Sequence, residues 1–212
     1  MGQTIFIPRE VDASETRVAG SPDTVKRLAG LGFDVIVEKG AGTSSRITDE
    51  DFAKAGATVG KASDAGKADV VLKVRRPTDA ELKGYKKGAA VFATMDPYGN
   101  DAAVASMAKA GITAFSMEFM PRITRAQSMD VLSSQANLAG YQAVIDAAAE
   151  YDRALPMMMT AAGTVPAAKV FVIGAGVAGL QAIATARRLG AVVTATDVRP
   201  AAKEQVASLG AK

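Results

Sequence analysis

Three glycines and one aspartate have the spacing with the most chemical content. Gly174, Gly176 and Gly179 follow an apolar, β-branched run directly and open a segment of helical periodicity, and Asp197 ends the next β-branched run. In such a strand–turn–helix the first glycine permits a tight turn, the second lets the backbone approach a pyrophosphate, and the third lets the helix pack on the strand. The pattern predicts a dinucleotide-binding turn.

The helix after the glycines completes the predicted phosphate site. Val177 and Ala178 lie in its first turn, where unpaired N–H groups and the helix dipole attract phosphate. Asp197 is expected to accept hydrogen bonds from the adenine ribose hydroxyls and to repel a 2′-phosphate, which favours NAD(H) over NADP(H). Arg199 weakens that preference, and a glycine turn that binds nothing remains the alternative.

The residue types that are missing also limit the chemistry. The 212 residues include no histidine and no cysteine, so we expect no metal site, no thiol nucleophile and no imidazole base. The net charge of +3 comes from scattered residues, which argues against nucleic acid as a partner. The N-terminus does not resemble a signal peptide, and the longest uncharged stretch falls short of the roughly 20 apolar residues of a membrane span. An intracellular protein is expected.

Elements that could position these residues alternate along the chain. Strands are predicted over 4–7, 34–38, 69–74, 90–94 and 112–117, with capped helices between them. A polar stretch, 122–130, leads into a long helix over about 134–154, whose small residues permit close packing. The three methionines at 157–159 are expected to fill gaps in a core.

The alternation predicts an α/β fold with two Rossmann-like domains and parallel sheets. We predict an N-terminal Rossmann-like domain over 1–133, a long helix and interdomain connection over 134–168, and a partial NAD(H)-binding domain over 169–212. A dinucleotide-binding sheet has about six strands. The last segment therefore corresponds only to the first βαβ unit, and the chain is expected to be part of a longer protein.

Two longer stretches carry a family resemblance. The run MPRITRAQSMDVLSSQANLAGY at 120–141 and the run PMMMTAAGTVP at 156–166, together with the glycine turn, resemble the NAD(H)-binding subunit of proton-translocating transhydrogenases. The resemblance covers essentially the whole chain. It implies that Arg122, Gln127, Asp130 and Ser133 act at the nicotinamide and its ribose.

The resemblance also implies a reaction and an assembly. Hydride would pass between NAD(H) on this chain and NADP(H) on a partner domain, coupled to proton movement by a membrane-embedded partner subunit. The protein would be a homodimer in the cytoplasm, held at the inner face of the cytoplasmic membrane through its partners. Direct hydride transfer between two nicotinamide rings needs no proton relay, so it tolerates the absence of histidine.

Two alternatives remain open. The first is an alanine dehydrogenase-like oxidoreductase, since that family's keto-acid-binding arginine and lysine match Arg17 and Lys73; Asp96, however, stands where that family has a catalytic histidine. A carboxylate at that position disfavours alanine oxidation, so Lys73, Arg75 and Arg76 are instead expected to be solvated charges at a strand end. The second is an inactive fragment or an NAD-binding or interaction module, including a regulatory NAD sensor.

Overall fold

The computed structural model describes residues 2–121 and 123–212. It divides into two compact units, one ending at Ala126 and the other spanning Gln127–Lys212. Both units are α/β, as the alternation of strands and helices predicts. Within the described residues, no helix is long and apolar enough to cross a membrane.

The first unit is a six-stranded parallel sheet with helices between its strands. The strands are β1 (Thr4–Ile7), β2 (Asp34–Glu38), β3 (Thr58–Gly60), β4 (Val70–Arg75), β5 (Ala90–Thr94) and β6 (Thr113–Ser116), in the order β3-β2-β1-β4-β5-β6. The helices are α1 (Pro22–Gly30), α2 (Asp49–Lys54), α3 (Asp79–Leu82) and α4 (Asp101–Ala110). The predicted parallel sheet is confirmed, although the three-residue β3 was not predicted.

Alternating side chains bury both faces of this sheet. Ile5 and Ile7 pack with Val25 and Phe52 in one buried cluster. Phe6, between them on β1, packs in a second cluster on the other face. Successive side chains of a strand point to opposite faces, so a continuous apolar run indicates a strand covered on both sides.

The strand order predicts a crevice outside the carboxyl ends of β1 and β4. Since β2 lies on one side of β1 and β4 on the other, the winding direction changes between β1 and β4. Ligands of open α/β sheets bind outside the carboxyl ends of the strands at such a point. Here those ends are followed by Glu10 and by Arg76.

The second unit is built around a single βαβ unit. Its elements are α5 (Val131–Glu150), β7 (Met158–Thr160), β8 (Gly163–Val165), β9 (Lys169–Ile173), α6 (Val177–Arg188), β10 (Val192–Thr196) and α7 (Ala202–Ser208). Strands β9 and β10 pair in parallel, and β7 and β8 form an antiparallel hairpin. Buried Ile183, Ala186 and Val193 form the core between α6 and the strands.

The structure differs from two expectations in this region. The predicted helix over 134–154 begins and ends earlier, and because α5 packs on α6 it lies with the second unit. The contacts thus divide the chain at Ala126, whereas the predicted first domain ended at residue 133. The prediction that the methionines at 157–159 fill a core is wrong, since they are 59%, 51% and 71% exposed on the hairpin and the residue before it.

Candidate nucleotide-binding site

The three glycines of the turn between β9 and α6 each meet a different constraint. Gly174 has φ of +90°, a left-handed conformation that side chains disfavour. A Cβ on Gly179 would overlap the carbonyl oxygen of Gly174, so this position must stay bare for the helix to start where it does. A Cβ on Gly176, by contrast, would meet nothing within 4 Å. The fold therefore does not require glycine at position 176, and its missing side chain leaves open space beside the backbone.

The turn is fastened to the end of β10 by main-chain groups. The Gly174 N–H donates to the carbonyl oxygen of Thr196 at 2.8 Å, and the Ala175 N–H donates to Oδ2 of Asp197 at 2.8 Å. The Ala175 side chain is fully buried under the turn. Asp197 thus lies directly against the glycine turn, as its position after the second strand predicts.

The Asp197 carboxylate receives further donors from Arg199. The Arg199 backbone N–H donates to Oδ1 at 2.8 Å, and its guanidinium donates to Oδ1 and Oδ2 at 3.0 and 3.1 Å. The hydrogen bonds from the Arg199 side chain are the main reason that the pKa of Asp197 lies well below its usual range. The carboxylate is therefore ionised at any physiological pH.

The first turn of α6 has the character of an anion site. Gly176 is the N-cap, and in the described part of the chain no side chain caps this end. The first N–H groups of a helix lack intrahelical partners and carry the positive end of its dipole. Together with the space at Gly176, these donors fit the pyrophosphate of a dinucleotide.

The polar residues predicted to bind nicotinamide lie before and at the start of α5. Asp130 is the N-cap, since its Oδ1 accepts the Ser133 N–H at 2.9 Å and its Oδ2 accepts the Ser133 hydroxyl at 2.6 Å. Gln127 is exposed on a short 3-10 segment, Thr124–Met129. Arg122 lies outside the described residues. The structure thus joins Asp130 to Ser133 and leaves the Gln127 side chain at the surface.

Close packing of α5 on α6 relates this region to the glycine turn. Gly140 is the buried residue of α5, and a Cβ there would overlap the backbone of Ala178 in the first turn of α6. Val144, one turn further along α5, packs against the core of the second unit. The ten residues from Asp130 to Gly140 span about 15 Å at 1.5 Å per residue. The start of α5 therefore lies about 15 Å along that helix from the residue that contacts the first turn of α6.

The equivalent crevice of the first unit holds a buried ion cluster. The Lys73 side chain is 0% exposed, and its Nζ lies 2.5 Å from Oε1 of Glu81 and 3.3 Å from Oε2 of Glu10. The prediction that Lys73 is a solvated charge is wrong. Its neighbours could not be foreseen from spacing alone, because Glu81 also has the local role of completing the capping box of α3 with Thr78.

Arginines surround this cluster with different degrees of exposure. Arg17 and Arg75 both bind the buried carboxylate of Glu15, with Nε–Oε distances of 2.6 and 3.0 Å, and each is about half exposed. Arg76 donates to the carbonyl oxygens of Met95 and Asp96, so it is not simply solvated as predicted. Asp96 itself has φ of +43°, and its carboxylate is exposed.

Family models match nearly all of the chain. Residues 6–139 match the model described as alanine dehydrogenase/PNT, N-terminal domain, and residues 143–212 match alanine dehydrogenase/PNT, C-terminal domain. The chain is 59% identical to an NAD(P) transhydrogenase subunit alpha protein of Rhodospirillum rubrum, over 98% of this chain and 56% of that protein. It is 32% identical to alanine dehydrogenase of Mycolicibacterium smegmatis, over 92% of this chain and 53% of that protein.

A solved structure agrees with these matches. The fold superposes on the crystal structure of transhydrogenase from Sinorhizobium meliloti with a TM-score of 0.97 and 74% identity, covering 99% of this chain and 63% of that one. The chain spans about half the length of the curated relatives that it matches. These comparisons confirm the resemblance drawn from residues 120–141 and 156–166.

Proposed function

Because this chain belongs to the alanine dehydrogenase/PNT family, we propose that it is the NAD(H)-binding component of a proton-translocating transhydrogenase. One observation carries the proposal: the glycine turn is fastened to Asp197 and leaves open space at Gly176 in front of an uncapped helix end. This arrangement fits a dinucleotide whose pyrophosphate contacts the turn and whose adenine ribose lies at Asp197.

The chain's own residues would bind and orient the cofactor. Val177 and Ala178 offer backbone donors to the pyrophosphate, and Arg122, Gln127, Asp130 and Ser133 would act at the nicotinamide and its ribose. The bound nicotinamide supplies the hydride chemistry, so the protein needs only to hold the ring in position. The Asp130–Ser133 hydrogen bonds support this role because they fix the start of α5.

The rest of the assembly follows from the same proposal. NADP(H) would be presented by a partner domain, and proton movement would occur in a membrane-embedded subunit, with this chain as a homodimer at the cytoplasmic face. The relatives' names support a multi-subunit complex, since 98% of this chain matches proteins that are called subunit alpha.

The geometry favours transhydrogenation over alanine oxidation. The charge of Lys73 is already matched by Glu10 and Glu81, and Asp96 places a carboxylate at the position of a catalytic histidine. A carboxylate there would repel the negative charge of a keto acid, which disfavours alanine oxidation. Neither feature hinders hydride transfer between two nicotinamides.

The test of nucleotide binding uses a pair of glycine substitutions in the full chain. Gly176→Ala should leave the fold intact, because φ is −80° and a Cβ has room, yet it should weaken NADH binding at least tenfold by filling the space for pyrophosphate. The control is Gly30→Ala, where a Cβ also meets nothing within 4 Å. Fluorescence titration of NADH gives both affinities. Equal affinity in the two variants would refute a pyrophosphate at this turn.

The test of the nicotinamide site uses a glutamine pair. Gln127→Ala should slow hydride transfer to an NADP(H) analogue by about tenfold, the loss of one hydrogen bond to the carboxamide. Gln142→Ala is the control, because that side chain donates to Asp146 on the surface of α5. Single-turnover transfer would be measured with the NADP(H)-binding partner present. Unchanged transfer in Gln127→Ala would contradict the assigned role.

A further inference from the structure

Hydrogen bonds within the protein occupy all the acceptor sites of the Asp197 carboxylate. Its Oδ1 accepts the N–H and Nε of Arg199, and its Oδ2 accepts the N–H of Ala175 and Nη2 of Arg199. A carboxylate has about four acceptor sites. The two ribose hydroxyls that Asp197 is expected to bind therefore have no acceptor until donors leave.

The donors that can leave are those of the Arg199 side chain. The two N–H groups belong to the main chain of the turn and of the segment after β10, so they stay in place. The guanidinium is 61% exposed, and its Nη2 also reaches the carbonyl oxygen of Ala175 at 3.2 Å. The Asp197 side chain is only 9% exposed, so the guanidinium is the partner that water can hydrate and screen once it leaves the pair.

We propose that Arg199 sets the selectivity of this site between NAD(H) and NADP(H), by competing with the ribose hydroxyls for Asp197 and by offsetting its charge. This role rests on the proposed function, because it assumes that the adenine ribose binds at Asp197. When the hydroxyls of NADH replace the guanidinium, the arginine moves aside but remains within reach of the ribose.

The same movement has the opposite consequence for a 2′-phosphate. Asp197 alone would repel this group, which carries a charge of about −1.5 to −2. With Arg199 present the pair is neutral, and a guanidinium suits phosphate oxygens geometrically. Arg199 thus weakens NADH binding by competition and reduces the penalty on NADPH.

The test measures the ratio of the NADPH and NADH dissociation constants in the full chain. In Arg199→Ala the ratio should rise about tenfold, a change of about 1.4 kcal/mol in selectivity, with NADH bound as tightly as before or more tightly. Arg199→Lys keeps the charge and should stay within about threefold of the wild-type ratio. The rise should shrink at high salt, since it depends on exposed charges.

The matched control is Lys203→Ala, which removes a nearby exposed positive charge on α7 without touching Asp197. It should leave the ratio unchanged. If Arg199→Ala weakens both nucleotides equally, the arginine only holds the turn, and the proposal is refuted; an unchanged ratio refutes it as well. Failure of the wild-type chain to bind NADH would instead overturn the proposed function on which the inference rests.

Discussion

Each unit has a parallel strand that leads towards a helix, β1 in the first and β9 in the second, and the two differ where that strand ends. In the first unit β1 is followed by Pro8-Arg9-Glu10, and in the second β9 is followed by Gly174-Ala175-Gly176. Both strands lie in parallel sheets with a helix following them. The turn of the second unit leaves open space at Gly176, where we propose that a phosphate approaches the backbone. On the proposed function, a few loop residues decide which of two similar parallel sheets binds a nucleotide.

The ends also differ in how charge is arranged. Buried Lys73, near the carboxyl end of the interior strand β4, pairs with two carboxylates, so positive and negative groups satisfy one another inside the protein. At the second sheet, Asp197 is paired with Arg199, whose side chain is 61% exposed. Removing one member of the buried cluster would leave an uncompensated charge inside the protein, whereas we propose that the exposed Arg199 gives way to a ligand.

Replacing Lys73 should have the largest effect on stability, and the effect should fall on the first unit. Lys73→Met leaves Glu10 and Glu81 buried without their cation, which should reduce the free energy of unfolding of the first unit by about 3–5 kcal/mol. Hydrogen exchange measured by mass spectrometry would show faster exchange in β1 and β4 than in the wild type.

The control for this variant is Lys54→Ala, which breaks an exposed pair with Glu50 and should cost less than about 0.5 kcal/mol. Exchange in α6 and β10 should not change in either variant if the two units are stabilised separately. If Lys73→Met instead reduced protection in both units, the buried cluster would not act on the first unit alone.

A smaller effect is expected at the contact between α5 and α6. Gly140→Ala adds a Cβ that overlaps the backbone of Ala178, so the helices must move apart at a cost of about 1–3 kcal/mol, partly offset by the better helix propensity of alanine. The shift displaces the first turn of α6, and NADH affinity should fall with stability.

Gly30→Ala serves again as the control, since it has the same change of residue without a clash and should not destabilise the chain. Urea denaturation followed by circular dichroism, with an NADH titration beside it, measures both quantities. If Gly140→Ala proved as stable as Gly30→Ala, the close approach of the helices would not be needed for the fold.

The sequence predicted most of what depends on local pattern. The bounds of β1, β2 and β5 agree to the residue, because each is an apolar run between clear breakers. Helix α4 ends at Gly111 in a left-handed conformation, as its position after the helix indicates. The glycine turn and Asp197 likewise follow from spacing within one βαβ unit.

What depends on contacts distant in sequence could not be predicted. Glu10 lies 63 residues before Lys73, and nothing in either segment indicates that both are buried together. The exposure of Met157 to Met159 was missed for a related reason, since an apolar run does not show whether another element covers it. The sequence shows that Arg199 lies two residues after Asp197, but its hydrogen bonds to Asp197 depend on side-chain geometry that spacing does not give.

The smallest expected effect is the change in stability of the first unit when Glu15 is protonated at acid pH. Hydrogen bonds from Arg17 lower the pKa of Glu15 from 4.5 to about 2, with Arg75 contributing at 3.0 Å. A carboxyl whose pKa is depressed by folding stabilises the native state above its unfolded pKa, and this contribution is lost as the pH falls from 4.5 towards 2. We expect a loss of about 1–2 kcal/mol, since water screens both half-exposed arginines. Glu15→Gln should be less stable than wild type at pH 7 and approach it at pH 2, measured by urea denaturation. A difference independent of pH would mean that Glu15 acts through packing and not through its charge.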